Sequence, residues 1–320
     1  MPAAHFVSPD LARTWRGRGP HEEVWFIEAR AGDGRGVWLR YCILDGTVGE
    51  CTVSAILFDK DGVHAGREVL PLSDIDLAQP VFRAGPHHLN GRRAVGCAGA
   101  LSWDLELIAG AHRHQHLAPL LRRLSVTSQH YVPAILDLRL RGQFTIGERV
   151  IELDREPGVL GHIHGRRSVT QAWAWCHCSH FDGAPGAVFE GLSPRVLAAG
   201  RPVPICTSLV LFADERRYAF SQPRDLLATR TDWGERRWAF RTRPGPVQLL
   251  GEVELPDAAQ VAHVRFADTD GGNRYAANSP LAHLRLRLID APRGIDRELV
   301  SSSASFELGS RDPPDVEVVL

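Results

Sequence analysis

ILDLRLRG, residues 135–142, alternates apolar and charged side chains with a period of two. In an extended chain, its three leucines point to one side and the charged residues between them point to the other. HLRLRLI, residues 283–289, repeats the pattern with leucine and arginine. One buried face and one wet face are typical of antiparallel β-sheet.

Similar strand-like segments, separated by turns rich in Gly and Asp, follow one another along the chain. They number roughly a dozen and a half, and so many short strands favour barrels or sandwiches, which leave few sheet edges open. We therefore predict an all-β protein with two halves, residues 1–148 and 149–320, the strand at Arg149 opening the second. The best candidate helix is residues 116–124, with a loop as the alternative.

The composition excludes several classes of protein. The 320 residues carry a formal net charge of -1, so we expect no nucleic-acid partner. No apolar run is long enough for a membrane span, and the first residues do not resemble a signal peptide, which predicts a cytoplasmic protein with free thiols. Lys60 is the sole lysine and lies in a turn, which leaves Schiff-base and P-loop chemistry without a lysine. A monomer and a homodimer both fit this composition.

The segment from Gly161 to Ser193 concentrates the residues that could do chemistry. In its strand QAWAWCHC, Trp173, Trp175 and His177 share one face. Two indoles and an imidazole suit a large apolar ligand, and a carbocation over a Trp face gains roughly 2 kcal/mol when desolvated. These three residues are therefore predicted to bind substrate.

Protonating an alkene requires an acid whose pKa an apolar site has raised. The candidates are His162 and His164 in GHIHG and Glu190 within the apolar AVFEGLS. Asp104 in SWDLEL and Tyr131 are further candidates for the pocket. The alternatives are ordinary packing for the tryptophans, a structural turn for the histidines, and exposed or arginine-paired positions for the carboxylates.

A metal site is the main rival chemistry, for which two clusters qualify. The first contains Cys176, Cys178 and His180; the second contains the alternating histidines of HRHQH, residues 112–116. Structural zinc sites usually space their cysteines as C-x₂₋₄-C, so C-x-C is a weak signal. The sequence also lacks G-x-S-x-G, H-E-x-x-H, G-x-G-x-x-G and P-loop motifs. We expect no cofactor.

Several segments resemble the lipocalin-like superfamily of hydroxyneurosporene synthase (carotenoid 1,2-hydratase), the AttH-like proteins and, more distantly, tocopherol cyclase. The matching segments are residues 22–44, 102–107, 161–165, 172–185, 189–193 and 275–288. The resemblance implies two lipocalin- or calycin-like antiparallel β-barrels packed side by side, with an apolar pocket. It also implies hydration, cyclisation or rearrangement of isoprenoid or polyketide molecules, although some members have no known activity.

Two functions from different classes follow. The first is a cofactor-independent hydratase, cyclase or isomerase that holds an apolar isoprenoid- or polyketide-like molecule in a barrel pocket. In it, His162, with His164 or Glu190, transfers the proton. The second is a carrier of the lipocalin type that binds a hydrophobic ligand without turnover. The directions in which His162 and Glu190 point distinguish them: convergence on one cavity favours the enzyme.

Overall fold

The computed structural model describes residues 8–32, 34–116, 129–166, 168–198, 201–203 and 206–320. Within these ranges nearly all regular structure is β, in two antiparallel sheets, which confirms the predicted fold class. The one described α-helix, α1, is Pro223–Ala228, and short 3₁₀ turns cover Leu72–Asp74, Ala258–Gln260 and Ala291–Arg293. The candidate helix at 116–124 lies outside the described residues except for His116.

The first sheet contains ten described strands in the order β4-β3-β2-β1-β10-β9-β8-β7-β6-β5. They are β1 (His21–Arg30), β2 (Gly36–Asp45), β3 (Glu50–Asp59), β4 (Gly62–Pro71), β5 (Phe82–Ala84), β6 (His87–Leu89), β7 (Arg93–Ala98), β8 (Leu101–Ala109), β9 (Gln129–Ile146) and β10 (Arg149–Gly165). The sheet curls until β3 and β4 contact β7, with Gly66 against Ala98. Its interior is filled by one apolar core.

The second sheet contains the remaining described strands, in the order β15-β14-β12-β11-β21-β20-β18-β17-β16, with β13 on β12 and β19 on β20. They are β11 (Thr170–Cys178), β12 (Val188–Ala198), β13 (Arg201–Pro202), β14 (Ser208–Ala213), β15 (Arg216–Phe220), β16 (Arg230–Trp233), β17 (Arg237–Arg241), β18 (Val247–Glu254), β19 (Ala262–Ala267), β20 (Asn273–Asp290) and β21 (Ile295–Ser310). A separate apolar core fills this curved sheet.

Most of the predicted alternation is present, with one exception. Leu284, Leu286 and Leu288 all enter the core of the second sheet. In β9, Leu138 and Leu140 enter the first core, but Leu136 packs on Val188, Val210 and Phe212 of the other sheet. A break in the β9–β10 register nearby explains the difference, because an extra residue reverses the faces that follow it.

The strand that begins at Arg149, with which the predicted second half starts, lies in the first sheet. β10 pairs with β9 along its length and with β1 through its second half, so it belongs to the first sheet. The chain crosses to the second sheet between Gly165 and Thr170. The predicted boundary at residues 148 and 149 therefore falls in the β9–β10 hairpin of the first sheet.

The two sheets pack against each other through a third apolar cluster. Phe26, Trp38 and Phe58 from the first sheet meet Trp173 and Trp175 from the second. None of the described helices is long and apolar enough to cross a bilayer.

A tight contact between the sheets provides a test of this packing. A Cβ added at Gly36 would lie 2.2 Å from Pro280 Cγ, so the sheets must shift to admit it. Gly36→Ala is therefore expected to lower the free energy of unfolding by about 1–3 kcal/mol, measured by urea denaturation.

Gly234→Ala is the control for this variant. A Cβ there meets its nearest neighbour, Arg237 Cβ, at an ordinary 3.8 Å. We expect a change within about 0.5 kcal/mol. Equal effects of the two substitutions would contradict the close packing of the sheets at Gly36.

Candidate active site between the two sheets

A cavity of about 340 Å³ lies between the outer faces of the two sheets. Its apolar walls include Phe26, Trp38, Trp173, Trp175, Leu192 and Phe266. Strand alternation explains this placement. Trp173 and Trp175 face the first sheet. The alternate residues of the same strand, Ala174, Cys176 and Cys178, enter the core of the second sheet. The pocket expected inside a barrel is therefore found between the curved sheets.

The glycine of GHIHG makes room for this wall. Gly161 is opposite Phe26 in the β1–β10 register, and a Cβ at Gly161 would lie 2.3 Å from the Phe26 ring. Phe26 and Tyr131 stack here, with ring centroids 6.0 Å apart, and Phe26 meets Trp175 edge-on at 5.3 Å. The absent side chain thus lets three aromatic rings converge on the cavity.

Glu190 is fully buried one layer behind the cavity wall and accepts three hydrogen bonds. The Tyr131 hydroxyl and Trp175 Nε1 each donate to Oε1 at 2.7 Å, and His177 Nδ1 donates to Oε2 at 2.9 Å. Register places this set together, because Glu190 is directly opposite His177 in the β11–β12 pair. The arrangement fixes the Tyr131 and Trp175 side chains at the cavity.

The surroundings keep Glu190 ionised. Burial would raise the pKa of this carboxyl, but the close approach of His116, the hydrogen bond from His177 and the charges of both imidazoles outweigh it and lower the pKa to about 2. Burial and the neighbouring Glu190 raise the pKa of the Tyr131 phenol well above its ordinary value. Glu190 therefore has no proton to donate near neutral pH, unlike the acid predicted from the sequence.

His116 completes this group from a segment before β9. Its Nδ1 is 2.9 Å from Ser208 Oγ and its Nε2 is 3.6 Å from Glu190 Oε1. The ring also stacks on Tyr131 at 5.6 Å and lines the cavity. The sequence showed His116 only as part of a histidine cluster.

Glu28 is a second buried carboxyl, and it reaches the cavity itself. Asn278 Nδ2 donates to Oε1 at 2.6 Å, while Oε2 has no hydrogen-bond partner among the described residues. Burial raises the pKa of Glu28 to about 8; Glu307 and Glu190 add to the rise, and the hydrogen bond from Asn278 opposes it. Glu28 therefore holds a proton at pH 7.

Glu307 lies beside this acid on β21. Its carboxyl group accepts hydrogen bonds from Trp173 Nε1 at 2.6 Å and from Asn278 Nδ2 at 3.2 Å. Because Asn278 Nδ2 also donates to Glu28, one amide group joins Glu28 to Glu307 across the sheets. Burial also raises the pKa of Glu307. Two carboxyl groups thus border the same aromatic wall.

His162 and His164 point away from the cavity, because they alternate with Gly161 and Ile163 on β10. His162 is opposite Trp25, stacks on it at 4.9 Å and is buried inside the first sheet. Its Nδ1 is 2.8 Å from the Asp10 carbonyl oxygen and its Nε2 is 3.0 Å from Glu23 Oε1. Neither histidine lines the cavity, so the structure does not bring them to the other candidates.

His164 lies between two other imidazoles on the same side of β10. Its ring is 4.9 Å from His162 and 5.5 Å from His130. Burial and the charge of His162 lower its pKa to about 4. A neutral histidine on this side of β10 fits the alternative that the GHIHG histidines have a structural role.

Asp104 is also remote from the cavity. It is exposed on β8 and pairs with Arg93 of β7, 2.6 Å from Arg93 Nε. Its position on the solvent face of SWDLEL corrects the expectation that it lines the pocket. By contrast, Trp173, Trp175 and Tyr131 line the cavity, whereas His177, predicted to bind substrate, contacts Glu190 behind its wall.

Among the described residues, neither predicted metal cluster brings three ligand atoms within 4.8 Å of one another, although the His114 and His116 rings lie 4.9 Å apart. Cys176 and Cys178 are buried in the second core, while His180 contacts Arg30 at 2.8 Å. The three histidines of HRHQH have different partners, namely Asp137, Arg217 and Ser208.

One group in the described ranges has the spacing of metal ligands. It is Glu68, His87 and Cys97, whose ligand atoms lie within 4.8 Å of one another in the first sheet, away from the cavity. The backbone N–H of Cys97 donates to His87 Nδ1 at 3.4 Å. This tautomer leaves Nε2 protonated and facing Glu68, which suits a hydrogen-bonded cluster better than a metal ligand.

Sequence reasoning missed Glu28, His116, Asn278 and Glu307. A signal for Glu28 was present: like Glu190, it is a glutamate within a strongly apolar strand, here VWFIEAR. His116 carried no such signal, because its role depends on a contact with Tyr131 from another element.

Comparison with solved structures supports the architecture. An AttH protein from Nitrosomonas europaea aligns with 97% of this chain and 98% of its own, at 12% identity and a TM-score of 0.52. The structure of CghA with Sch210972 aligns with 92% of this chain and 90% of its own, at 11% identity and a TM-score of 0.59. Kievitone hydratase from Nectria haematococca aligns with 90% of this chain and 88% of its own, at 8% identity and a TM-score of 0.53. No protein-family model and no curated protein matches the sequence.

These likenesses show that the chain shares its overall fold with these proteins. Its two curved antiparallel sheets agree with the predicted pair of barrels. Identities of 8–12% leave the reaction to be argued from this chain's own site.

Proposed function

We propose that the protein is a cofactor-independent enzyme of the hydratase or cyclase type, acting on an apolar isoprenoid- or polyketide-like molecule held between its two sheets. Glu28 carries this proposal. It is a protonated carboxylic acid with an unpartnered oxygen, and it opens on a cavity walled by tryptophan. An acid with these properties can protonate an alkene or a carbonyl. One structural neighbour is a kievitone hydratase, which supports the same class.

In the proposed reaction, the Glu28 proton is transferred to one alkene carbon, and the π electrons form the new C–H bond. The faces of Trp173 and Trp175 and the Tyr131 oxygen stabilise the cation on the other carbon. Water then adds and returns a proton to Glu28, or a neighbouring carbon loses its proton to Glu28 and gives an isomer. A ring forms when a second alkene of the substrate attacks the cation before that proton is lost to Glu28. Glu190 acts as a positioning residue, because it holds Tyr131 and Trp175.

Glu28→Gln tests this role, because the amide keeps the shape but cannot donate the proton as an acid does. We expect turnover to fall by about 10²-fold or more while ligand binding persists. Mass spectrometry of polyene or polyketide substrates would show the product as an added water or as an isomer. In wild type, the rate should decline above about pH 8, where Glu28 loses its proton.

The second candidate function, a carrier without turnover, is favoured by the apolar character of the cavity walls. The same experiment separates the two. Wild type that binds ligand and returns it unchanged at every pH contradicts the enzyme and supports the carrier. Full activity in Glu28→Gln contradicts the assignment of Glu28 as the acid.

A further inference from the structure

The end of the cavity beyond Trp38 carries a group of charges that the proposed reaction does not use. Arg274 is buried there, with Nη2 2.6 Å from Glu22 Oε1 and Nε 2.6 Å from Asp268 Oδ1. Arg311 also contacts Asp268, at 2.8 Å. These contacts form a chain of ion pairs that leads to the cavity surface.

Arg40 joins this chain without a close partner. Its Nη2 is 3.7 Å from Glu22 Oε1, and it forms no hydrogen bond with any residue the structure describes. Glu22 is already engaged, because Arg274 contacts Oε1 and Gln129 Nε2 donates to Oε2 at 2.7 Å. The Arg40 side chain is 12% exposed and lines the large cavity.

The charged groups at this end of the cavity also leave Arg40 without a carboxylate of its own. Three guanidiniums (Arg40, Arg274 and Arg311) contact two carboxylates, Glu22 and Asp268. The next carboxyl, Glu307, is occupied by Trp173 and Asn278, and its burial favours the neutral form. Three guanidiniums therefore share two carboxylates, and Arg40, which has the longest of these contacts, keeps donors free for an anion in the cavity.

The guanidinium is also held in place. The Arg40 Cζ lies 5.0 Å from the centroid of the Phe266 ring, which fixes one face of the group. Arg40 borders a second, smaller cleft of about 20 Å³ beside Glu50 and Arg67. The large cavity, about 340 Å³, offers Arg40 far more room for an organic anion than this cleft does.

We propose that Arg40 binds an acidic substituent of the substrate, a carboxylate or an enolate oxygen, at the end of this cavity. This inference rests on the proposed function and narrows its substrate to an apolar molecule with one acidic group. Arginine suits this task because its planar donors match two anionic oxygens.

Two fluorescent probes with a common skeleton test the proposal. 1-Anilinonaphthalene-8-sulfonate carries an anionic group, and N-phenyl-1-naphthylamine lacks it. In titrations, wild type should bind the sulfonate about 10-fold more tightly or better, since a charge-assisted contact contributes that much. The two probes should compete with each other at one site.

Arg40→Met should lose this preference, with about 10-fold weaker sulfonate binding and amine binding within about 2-fold of wild type. Arg40→Lys, which keeps the charge, should retain part of the preference. Arg285→Met removes an arginine exposed on the outer face of the second sheet and should change neither affinity.

Equal affinities for the two probes in wild type would overturn the anion site, as would an equal loss for both in Arg40→Met that folds normally by circular dichroism. A retained sulfonate preference together with no product from any substrate would instead contradict the proposed enzyme. The two failures are therefore distinguishable.

Discussion

Glu28→Gln is expected to stabilise the protein at pH 8 by up to about 4 kcal/mol while it removes activity. The pKa of Glu28 is raised to about 8 in the fold from an ordinary value near 4.5. The folded state therefore favours the protonated acid, and each unit of such a shift corresponds to about 1.4 kcal/mol. Glutamine has no charge to bury and avoids this cost.

The sign of the pH dependence follows from the raised pKa. Below about pH 4.5 the carboxyl is protonated in both states, so Glu28 costs no ionisation energy there. Between about pH 4.5 and 8 the unfolded chain ionises while the folded protein does not, and stability declines as pH rises. The gap between variant and wild type should open over this window and close towards acid pH.

Urea denaturation of both proteins from pH 4.5 to 8.5 measures this gap. Glu148→Gln, which changes an exposed glutamate in the β9–β10 turn, should remain within about 0.5 kcal/mol of wild type. A difference between Glu28→Gln and wild type that does not vary with pH would show that Glu28 is not protonated in the fold. A Glu28→Gln variant that is more stable but less active than wild type would instead show that Glu28 lowers stability and is retained for function.

Glu190→Ala is expected to lower the free energy of unfolding by about 3–5 kcal/mol. The substitution removes the acceptor of Tyr131, Trp175 and His177 and leaves these donors buried without it. Burying donors without an acceptor costs more than the bonds themselves contribute. Glu190→Gln keeps a carbonyl acceptor and should lose less.

Denaturation in urea, followed by circular dichroism, would measure the loss. Glu106→Ala is the matched control, since Glu106 is a strand glutamate on the exposed face of β8, and we expect a change within about 0.5 kcal/mol. A loss below about 1 kcal/mol in Glu190→Ala would mean that Glu190 does not organise the aromatic wall.

The sequence predicted the composition of the aromatic wall because that wall depends on alternation within single strands. Trp173, Trp175 and His177 share a face in any extended chain, and Glu190 stood out within an apolar strand. For Asp104, the same alternation permitted two faces, and only the pairing of β8 with β7 decided that its face is exposed.

His162 and His164 illustrate the other limit. Their alternation with Gly161 and Ile163 was evident, but which pair faces the cavity depends on the side of β10 that meets the second sheet. Because β10 belongs to the first sheet, the histidines enter its interior, while the glycine and isoleucine face the cavity. A short sequence pattern shows which residues share one face of a strand, but it does not show whether that face meets the cavity or the interior of the sheet.

By itself, the sequence determined the all-β class, the strand periodicity and the set of aromatic and acidic residues from which a site could be built, because these depend on spacing along the chain. Only the tertiary structure decided that the cavity lies between the sheets and that Arg40 lacks a close partner. It also brought Glu28 into contact with Asn278, which is 250 positions away along the chain. The reason is physical: burial and ion pairing, which set the protonation and charge of these groups, arise from contacts between distant strands.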